Sequence, residues 1–139
     1  MTLDRFVEAQ GPVYDRALAE LRAGQKQSHW MWFIFPQMAG LGQSAMSRAY
    51  AIQTLDEARA YLAHPVLRRR LRACCQAVMN LRAKSAEDIF GAIDAMKFRS
   101  CLTLFAEANH DEVLFSNLLE KYFGGDADEA TLEILSGQE

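Results

Sequence analysis

Apolar side chains recur along most of this chain at intervals of three and four residues, which is the period of an amphipathic α-helix. The clearest stripe follows Pro65, and its members are Leu67, Leu71, Cys74, Cys75 and Val78. No segment alternates convincingly between apolar and polar residues, as a half-buried β-strand would. The pattern therefore predicts an all-α protein.

Glycine, proline and capping residues divide the stripes into separate helices. Gly11-Pro12 separates a helix over residues 3–10 from a second one, which Gly24 ends as a C-cap. Ser85 and Asp88 have the spacing of a capping box. Further helices are predicted over 44–52, 56–62 (with Asp56 as N-cap), 94–108, 111–122 and 128–135. We therefore expect residues 1–139 to form one compact domain of about six to eight helices, several of them short.

Residues 28–37, the aromatic segment, concentrate large rings in a short stretch. Both tryptophans of the chain, Trp30 and Trp32, lie here with Phe33 and Phe35. At helical spacing the four rings point in different directions, so the segment is buried on all sides. This favours a short core helix over residues 28–35 and, as a second choice, a buried strand. The alternative is a flat wall on which a ligand stacks, because indole rings stack well and polar residues lie on either side of the four rings. The flanking residues are Lys26, His29 and Gln37.

The predicted helix 94–108 carries polar residues on its apolar face. Asp94 and Lys97 are three residues apart, so their side chains can meet. Burying a charge is costly unless the charge is paired, and such pairs collect at functional sites. Two structural alternatives remain open: Asp94 caps the helix, and Lys97 extends along its neighbours to water. Ser100, at the edge of the same face, can meet a ligand or bond back to the backbone.

The loop Gly40-Leu41-Gly42 leads into a predicted helix at Ser44. A helix N-terminus suits an anion, but the glycine spacing does not match a phosphate-binding loop. A plain turn with Ser44 as N-cap is the alternative interpretation. Ser44 and Tyr50 share or adjoin one helical face and are candidates to line a pocket.

Charge and composition narrow the classes of function. Fifteen Lys and Arg against eighteen Asp and Glu leave a net charge of −3, which argues against nucleic-acid binding. We expect no membrane span, because no apolar run is long enough, and no secretion signal, because charges follow the start of the sequence at once and leave no apolar h-region. Three cysteines without a Cys-x-x-Cys pair fit a reducing cytoplasm. The three histidines lack the spacing of metal ligands, so we expect no metal. We predict no other cofactor.

Several long motifs in this chain match the pattern of a known family. The aromatic segment reads Ser28-His29-Trp30-Met31-Trp32-Phe33-Ile34-Phe35-Pro36-Gln37, and Asp94-x-x-Lys97-x-x-Ser100-x-x-Thr103 and Tyr122-Phe123-x-Gly125-x-x-Asp128 follow downstream. Over nearly its whole length the chain resembles the bacterial "domain of unknown function 1810" family. The resemblance implies a small helical cytoplasmic protein and supplies no activity. Some members carry a calpastatin label, which does not suit a chain so rich in core residues.

The polar residues beside apolar segments predict a pocket between residues 28–37 and helix 94–108. In that pocket Lys97 would hold an anionic group, Asp94 would orient it, and His29 would act as acid or base. The predicted ligand is small and anionic or nucleotide-like, with or without catalysis. The predicted ligand-binding residues are Lys26, Trp30, Trp32, Gln37, Ser44, Tyr50 and Ser100.

The alternative is a non-catalytic protein-interaction module whose buried polar residues are structural. Its function would then lie on a surface such as the basic run Arg68–Arg72, facing a protein partner. A concave pocket that holds both Lys97 and His29 would favour the ligand hypothesis. A closed core in which Asp94 fully satisfies Lys97 would favour the interaction module.

Overall fold

The computed structural model describes residues 3–138, and these form ten α-helices and no β-strand. Seven of the helices have seven residues or more, and α3, α4 and α7 are shorter. The all-α prediction is confirmed. In chain order the helices are α1 (Asp4–Gln10), α2 (Tyr14–Ala23), α3 (Met31–Ile34), α4 (Ala45–Ala49), α5 (Leu55–Ala63), α6 (Pro65–Met79), α7 (Ala86–Phe90), α8 (Ala92–Ala108), α9 (Val113–Phe123) and α10 (Glu129–Ser136).

Local capping sets several helix ends, and the sequence predicted the caps at Gly24 and at Ser85 and Asp88. Gly24 ends α2 in the left-handed conformation at φ +80°, which glycine adopts without strain. The His64 ring accepts hydrogen bonds from the first backbone N–H groups of α6, and Pro65 opens that helix. Ser85 and Asp88 form the complete capping box of α7.

Three predicted helix boundaries need correction. The helix predicted over residues 44–52 is shorter, since α4 ends at Ala49 and Ile52 lies beyond it in a β-bridge with Met38. The predicted core helix over residues 28–35 is only the single turn Met31–Ile34, because the chain turns at Phe35 and continues extended through Pro36. Helix α5 begins earlier than predicted, since the Thr54 hydroxyl accepts the Glu57 N–H and is the N-cap. Asp56 therefore lies in the first turn of α5, where its charge favours the helix dipole.

Helix α8 lies at the centre of the packing and contacts α5, α7, α9 and α10. Helix α6 packs against α2, α5 and α9 and also reaches α1 and α3. Aromatic rings fill the space between these helices, and Phe35, Phe98 and Phe105 are fully buried. The aromatic segment thus lies between α8 on one side and α1 and α6 on the other.

A buried amide fixes the aromatic segment to the rest of the fold. Gln10 is 1% exposed, and its Nε2 donates to the Phe33 carbonyl and to the Tyr61 hydroxyl, each at 2.8 Å. Arg70 in turn donates to Gln10 Oε1 at 3.3 Å. This network joins α1, α3, α5 and α6 and explains why a single helical turn holds a defined position.

Within residues 3–138, no helix combines the length and apolar character that a bilayer-spanning segment requires.

Candidate functional site

A surface groove of about 550 Å³ separates the aromatic segment from α8, and its size suits a small ligand. Its walls come from the aromatic segment, the loop over residues 39–51, one face of α8 and the start of α10. The lining residues are Trp32, Gln37, Leu41, Gly42, Gln43, Ser44, Ser47, Ile93, Met96, Lys97, Ser100, Asp128 and Ala130.

One face of α8 forms the floor of the groove. Ile93, Met96, Lys97 and Ser100 follow the spacing i, i+3, i+4 and i+7, so their side chains share that face. Ile93 is 73% exposed and Met96 is 68% exposed, which is unusual for large apolar side chains on a central helix. The Ser100 hydroxyl donates to the Met96 carbonyl at 3.1 Å, so it bonds back to its own helix. The face is therefore apolar at its outer end and carries one cation, Lys97.

The 39–51 loop forms the opposite wall and is closed at its base by a parallel β-bridge between Met38 and Ile52. Two backbone hydrogen bonds of 2.8 Å make this closure, one to the Ile52 carbonyl and one from the Ile52 N–H. At the rim, a Cβ on Gly42 would lie 2.6 Å from Ser47 Cβ and Oγ, so only glycine fits without a shift of the loop. The wall therefore has a defined, tightly packed shape.

A charged cluster lies at the inner edge of the groove. Asp94 is shared by two lysines: Lys26 Nζ is 2.9 Å from Oδ2, and Lys97 Nζ is 3.2 Å from Oδ1. Each ammonium also lies over an indole ring, Lys26 at 5.2 Å from the Trp30 centroid and Lys97 at 4.5 Å from that of Trp32. The Lys26 side chain is 9% exposed and that of Lys97 is 25% exposed. Lys26 is thus the inner partner, and Lys97 is the one that faces the groove.

An inner cavity of about 10 Å³ continues the groove toward the core. It shares Trp32, Gln37, Gly42, Ser47 and Lys97 with the groove, and Tyr50 and apolar side chains complete its lining. The Tyr50 ring packs edge-on against Phe33 at 4.8 Å, which holds the hydroxyl in place. Lys97, Gln37 and Tyr50 therefore converge on one small space.

Glu20 supports the aromatic segment from behind. Its carboxylate accepts hydrogen bonds from the Trp30 indole, the Ser28 hydroxyl and the backbone N–H groups of Gln27 and Ser28, at 2.6 to 3.1 Å. Burial by itself raises the pKa of Glu20, but these four bonds outweigh it and lower the pKa from 4.5 to about 2. The ionised Glu20 therefore holds Trp30 and the start of the segment together.

Replacing Glu20 by glutamine is expected to lower the free energy of unfolding at neutral pH by about 1–2 kcal/mol, after allowance for solvent screening. The folded pKa lies below the unfolded one, so the carboxylate stabilises the fold fully above about pH 4.5 and loses that effect as pH falls toward 2. The gap between wild type and Glu20→Gln in urea unfolding should narrow over that range. The exposed Glu8→Gln is the matched control, and a gap independent of pH would contradict the prediction.

The structure brings most of the predicted ligand-binding residues together. Trp32, Gln37, Ser44 and Ser100 line the groove with Lys97, and Tyr50 lines the inner cavity. The Ser44 side chain also accepts the Ser47 N–H, as the N-cap of α4.

The other predicted site residues lie elsewhere. Asp94 and Lys26 form the charged cluster behind Lys97. Trp30 is fully buried and its indole N–H donates to Glu20, so it packs in the core and does not face the groove. His29 is exposed and, in the range 3–138, is not among the residues that line the groove or the inner cavity. Gly91, and not Asp94, is the N-cap of α8.

Several groove residues were missed from the sequence. Ile93 and Met96 belong to an apolar stripe that indicates a core face, and the pattern of one helix cannot tell a core from a groove. Asp128 reaches the groove because its backbone N–H donates to the Thr103 hydroxyl of α8 at 2.9 Å. The family motif that includes Asp128 was the one available signal for this residue.

The described part of the chain contains no cluster of metal ligands and no exposed cysteine. No three His, Cys, Asp or Glu side chains converge there to hold a metal ion. Cys74, Cys75 and Cys101 are free and buried. Burial raises the pKa of the Cys74 thiol to about 12, so this cysteine is a poor nucleophile at neutral pH.

Fold and site together define a class: a helical protein with a lysine-bearing groove between an aromatic turn and a central helix. The family model "Protein of unknown function (DUF1810)" matches residues 1–135, and the chain belongs to this family. The crystal structure of the conserved hypothetical protein Rv1873 from Mycobacterium tuberculosis is similar over 96% of each chain, at 48% identity and a TM-score of 0.95. No curated protein matches the chain.

Proposed function

We propose that this protein binds a small anionic ligand in the groove between the aromatic segment and α8. The observation that carries the proposal is the position of Lys97. Its side chain lies on the floor of the groove and is one quarter exposed, and its ammonium lies close to both the Trp32 ring and the carboxylate of Asp94. A cation beside an aromatic face suits an anion with a flat or apolar body.

The sharing of Asp94 makes Lys97 available to a ligand. When Lys97 turns toward an anion, Asp94 keeps its shorter contact to the more buried Lys26 and is not left unpaired. Leaving a half-buried carboxylate without a partner would otherwise oppose binding. Lys26 thus supplies a structural positive charge, and Lys97 supplies the positive charge that recognises the ligand.

The proposed activity is binding, in a cytoplasmic protein. Catalysis by His29, Asp94 and Lys97 stays a prediction, since His29 is not among the groove-lining residues of the described chain. The buried, free cysteines suit a reducing cytoplasm.

A second candidate function is a protein-interaction module. The observation that favours it is a shallow groove of about 440 Å³ beside Leu62 and Pro65, where Arg68 and Arg69 are exposed. An acidic partner would complement this surface. Capture of such a partner that the double variant Arg68→Glu, Arg69→Glu abolishes, and that Lys97→Met leaves intact, would favour this candidate.

A thermal-shift screen of the purified protein tests the binding proposal. The panel contains nucleotides, NAD, ADP-ribose, sugar phosphates and small carboxylates. A ligand at about 100 times its dissociation constant stabilises the fold by roughly 2.7 kcal/mol, which is a readable shift in melting temperature. Lys97→Met should remove the shift while the free protein keeps nearly its wild-type melting temperature, because the lysine is part-exposed.

Arg16→Met is the matched control, since it removes one exposed positive charge on α2, away from the groove-lining residues. The control should keep the ligand shift in full. A shift that both variants keep, or that both lose, would contradict the proposal, because neither result depends on Lys97 itself.

A further inference from the structure

We propose that the ligand of the groove carries a single carboxylate on an apolar body, and that phosphates and polyphosphates are disfavoured. This inference rests on the proposed function, because it specifies the chemistry of the same site. We base it on the charges in and behind the groove, on the helix N-termini that border the groove, and on the size and lining of the inner cavity and the outer groove.

Charge balance in and behind the groove favours a monoanion. Lys97 is the one cation among the groove-lining residues of the described chain, and Asp128 lines the same groove. Asp94 and Lys26 lie behind Lys97, so two lysines accompany two carboxylates. One negative charge gains Lys97 as its partner. Each further negative charge on the ligand would be repelled by Asp94 and Asp128. It would meet no second cation among the groove-lining residues of the described chain.

The N-termini of α4 and α10, which border the groove, already carry side-chain acceptors, whereas the N-terminus of α8 has no side-chain cap. A phosphate-binding helix presents open backbone N–H groups to its ligand. At the start of α4, Ser44 Oγ accepts the Ser47 N–H, and at the start of α10 Asp128 accepts the N–H and the hydroxyl of Thr131. Asp94 lies in the first turn of α8, where its negative charge occupies the favourable end of the helix dipole. A phosphate therefore gains little from these helices.

The inner cavity fits one oxygen of a carboxylate. Its volume of about 10 Å³ is close to the space that one water occupies. Besides Lys97, its lining includes Gln37 and Tyr50, whose side chains make no hydrogen bond to another residue within residues 3–138. An ammonium, an amide N–H and a hydroxyl are donors that a planar carboxylate accepts.

The outer groove fits the apolar body of the same molecule. Trp32, Leu41, Ile93 and Met96 line it, and Ile93 and Met96 are mostly exposed in the free protein. An aryl or alkyl chain that starts at the inner cavity would cover these side chains and remove their surface from water. The groove therefore selects an amphiphilic acid.

Calorimetric titration with matched probes tests this inference on the full chain. Hydrocinnamate and octanoate provide the carboxylate on an aryl and on an alkyl body. Their amides keep the body and remove the charge, and phenyl phosphate and AMP replace the carboxylate by a phosphate. Both acids should bind saturably. Their amides and the two phosphates should bind with at least about tenfold lower affinity.

Two variants tie the binding to the inner cavity. Tyr50→Phe keeps the ring that packs on Phe33 and removes only the hydroxyl, so it should weaken acid binding about threefold to tenfold with little change in melting temperature. Lys97→Met should abolish acid binding. Acid binding that is unchanged by Lys97→Met would overturn the inference.

The outcomes separate this inference from the proposed function. If phenyl phosphate or AMP binds in a Lys97-dependent way and neither acid binds at up to roughly 10 mM, a weak-binding limit, the carboxylate inference is overturned and the proposed function stands. If no probe binds and the wider screen is also flat, both are overturned. Lys97-dependent binding of the acids, with loss on amidation, supports both.

Discussion

Replacing Phe98 by alanine is expected to lower the free energy of unfolding by about 4 kcal/mol, because it removes a fully buried ring from the centre of the core. The ring packs against Phe35 at 4.8 Å, Phe90 at 4.7 Å and Phe123 at 6.4 Å between centroids. Phe98 thereby joins α8 to the aromatic segment, α7 and α9. Chemical denaturation followed by circular dichroism measures the loss.

Phe98→Ala should also disturb the geometry of the groove. Phe98 follows Lys97 in α8 and fixes the distance between that helix and the aromatic segment through Phe35. Phe98→Leu is the matched control, since it keeps most of the apolar volume and should cost less than about 1.5 kcal/mol. A loss for Phe98→Ala no greater than that of the leucine variant would contradict the central position of this ring.

Much of the fold could be predicted because helix ends are set by short-range bonds. Gly24, the His64-Pro65 pair and the Ser85–Asp88 box all act on residues within one turn of themselves. The aromatic segment could not be predicted in this way. Its conformation depends on Gln10, which bonds the Phe33 carbonyl from a distant part of the chain. Long-range bonds of this kind override local propensity and leave no local pattern.

The start of α5 followed a local signal that the sequence prediction overlooked. Thr54 and Asp56 are both good N-cap residues, but Thr54 and Glu57 have the Thr-x-x-Glu spacing of a capping box, which favours Thr54. In the structure the Thr54 side chain accepts the Glu57 N–H, and Glu57 in turn pairs with Arg5 of α1. The choice of cap is therefore linked to a contact between helices.

The candidate site was predictable where a polar residue interrupts an apolar face. Asp94 and Lys97 were found on that signal, and they do meet, at 3.2 Å. The partnership of Asp94 with Lys26 was not found, because 68 positions separate the two residues in sequence. The exposure of Ile93 and Met96 also depends on where the 39–51 loop and α10 pack, and a single helix does not encode that.

Replacing Asp94 by alanine is expected to lower the free energy of unfolding by about 2–3 kcal/mol, because Lys26 is then left nearly buried without its carboxylate. Among residues 3–138, the ammonium of Lys26 would then keep only the Trp30 ring as a close partner. Lys97 can instead turn to water, since it is one quarter exposed. The loss in the free energy of unfolding should therefore come chiefly from Lys26.

Two double-mutant cycles separate the contributions of the lysines. The cycle of Lys26→Met with Asp94→Ala should give a coupling of about 1–2 kcal/mol, and the cycle of Lys97→Met with Asp94→Ala less than about 1 kcal/mol. Urea unfolding of the four variants in each cycle gives both values. A larger coupling for Lys97 would make it the structural partner of Asp94 and would favour the interaction module. The expected order leaves Lys97 as the charge that is free to bind an anion, because Asp94 is already held by Lys26.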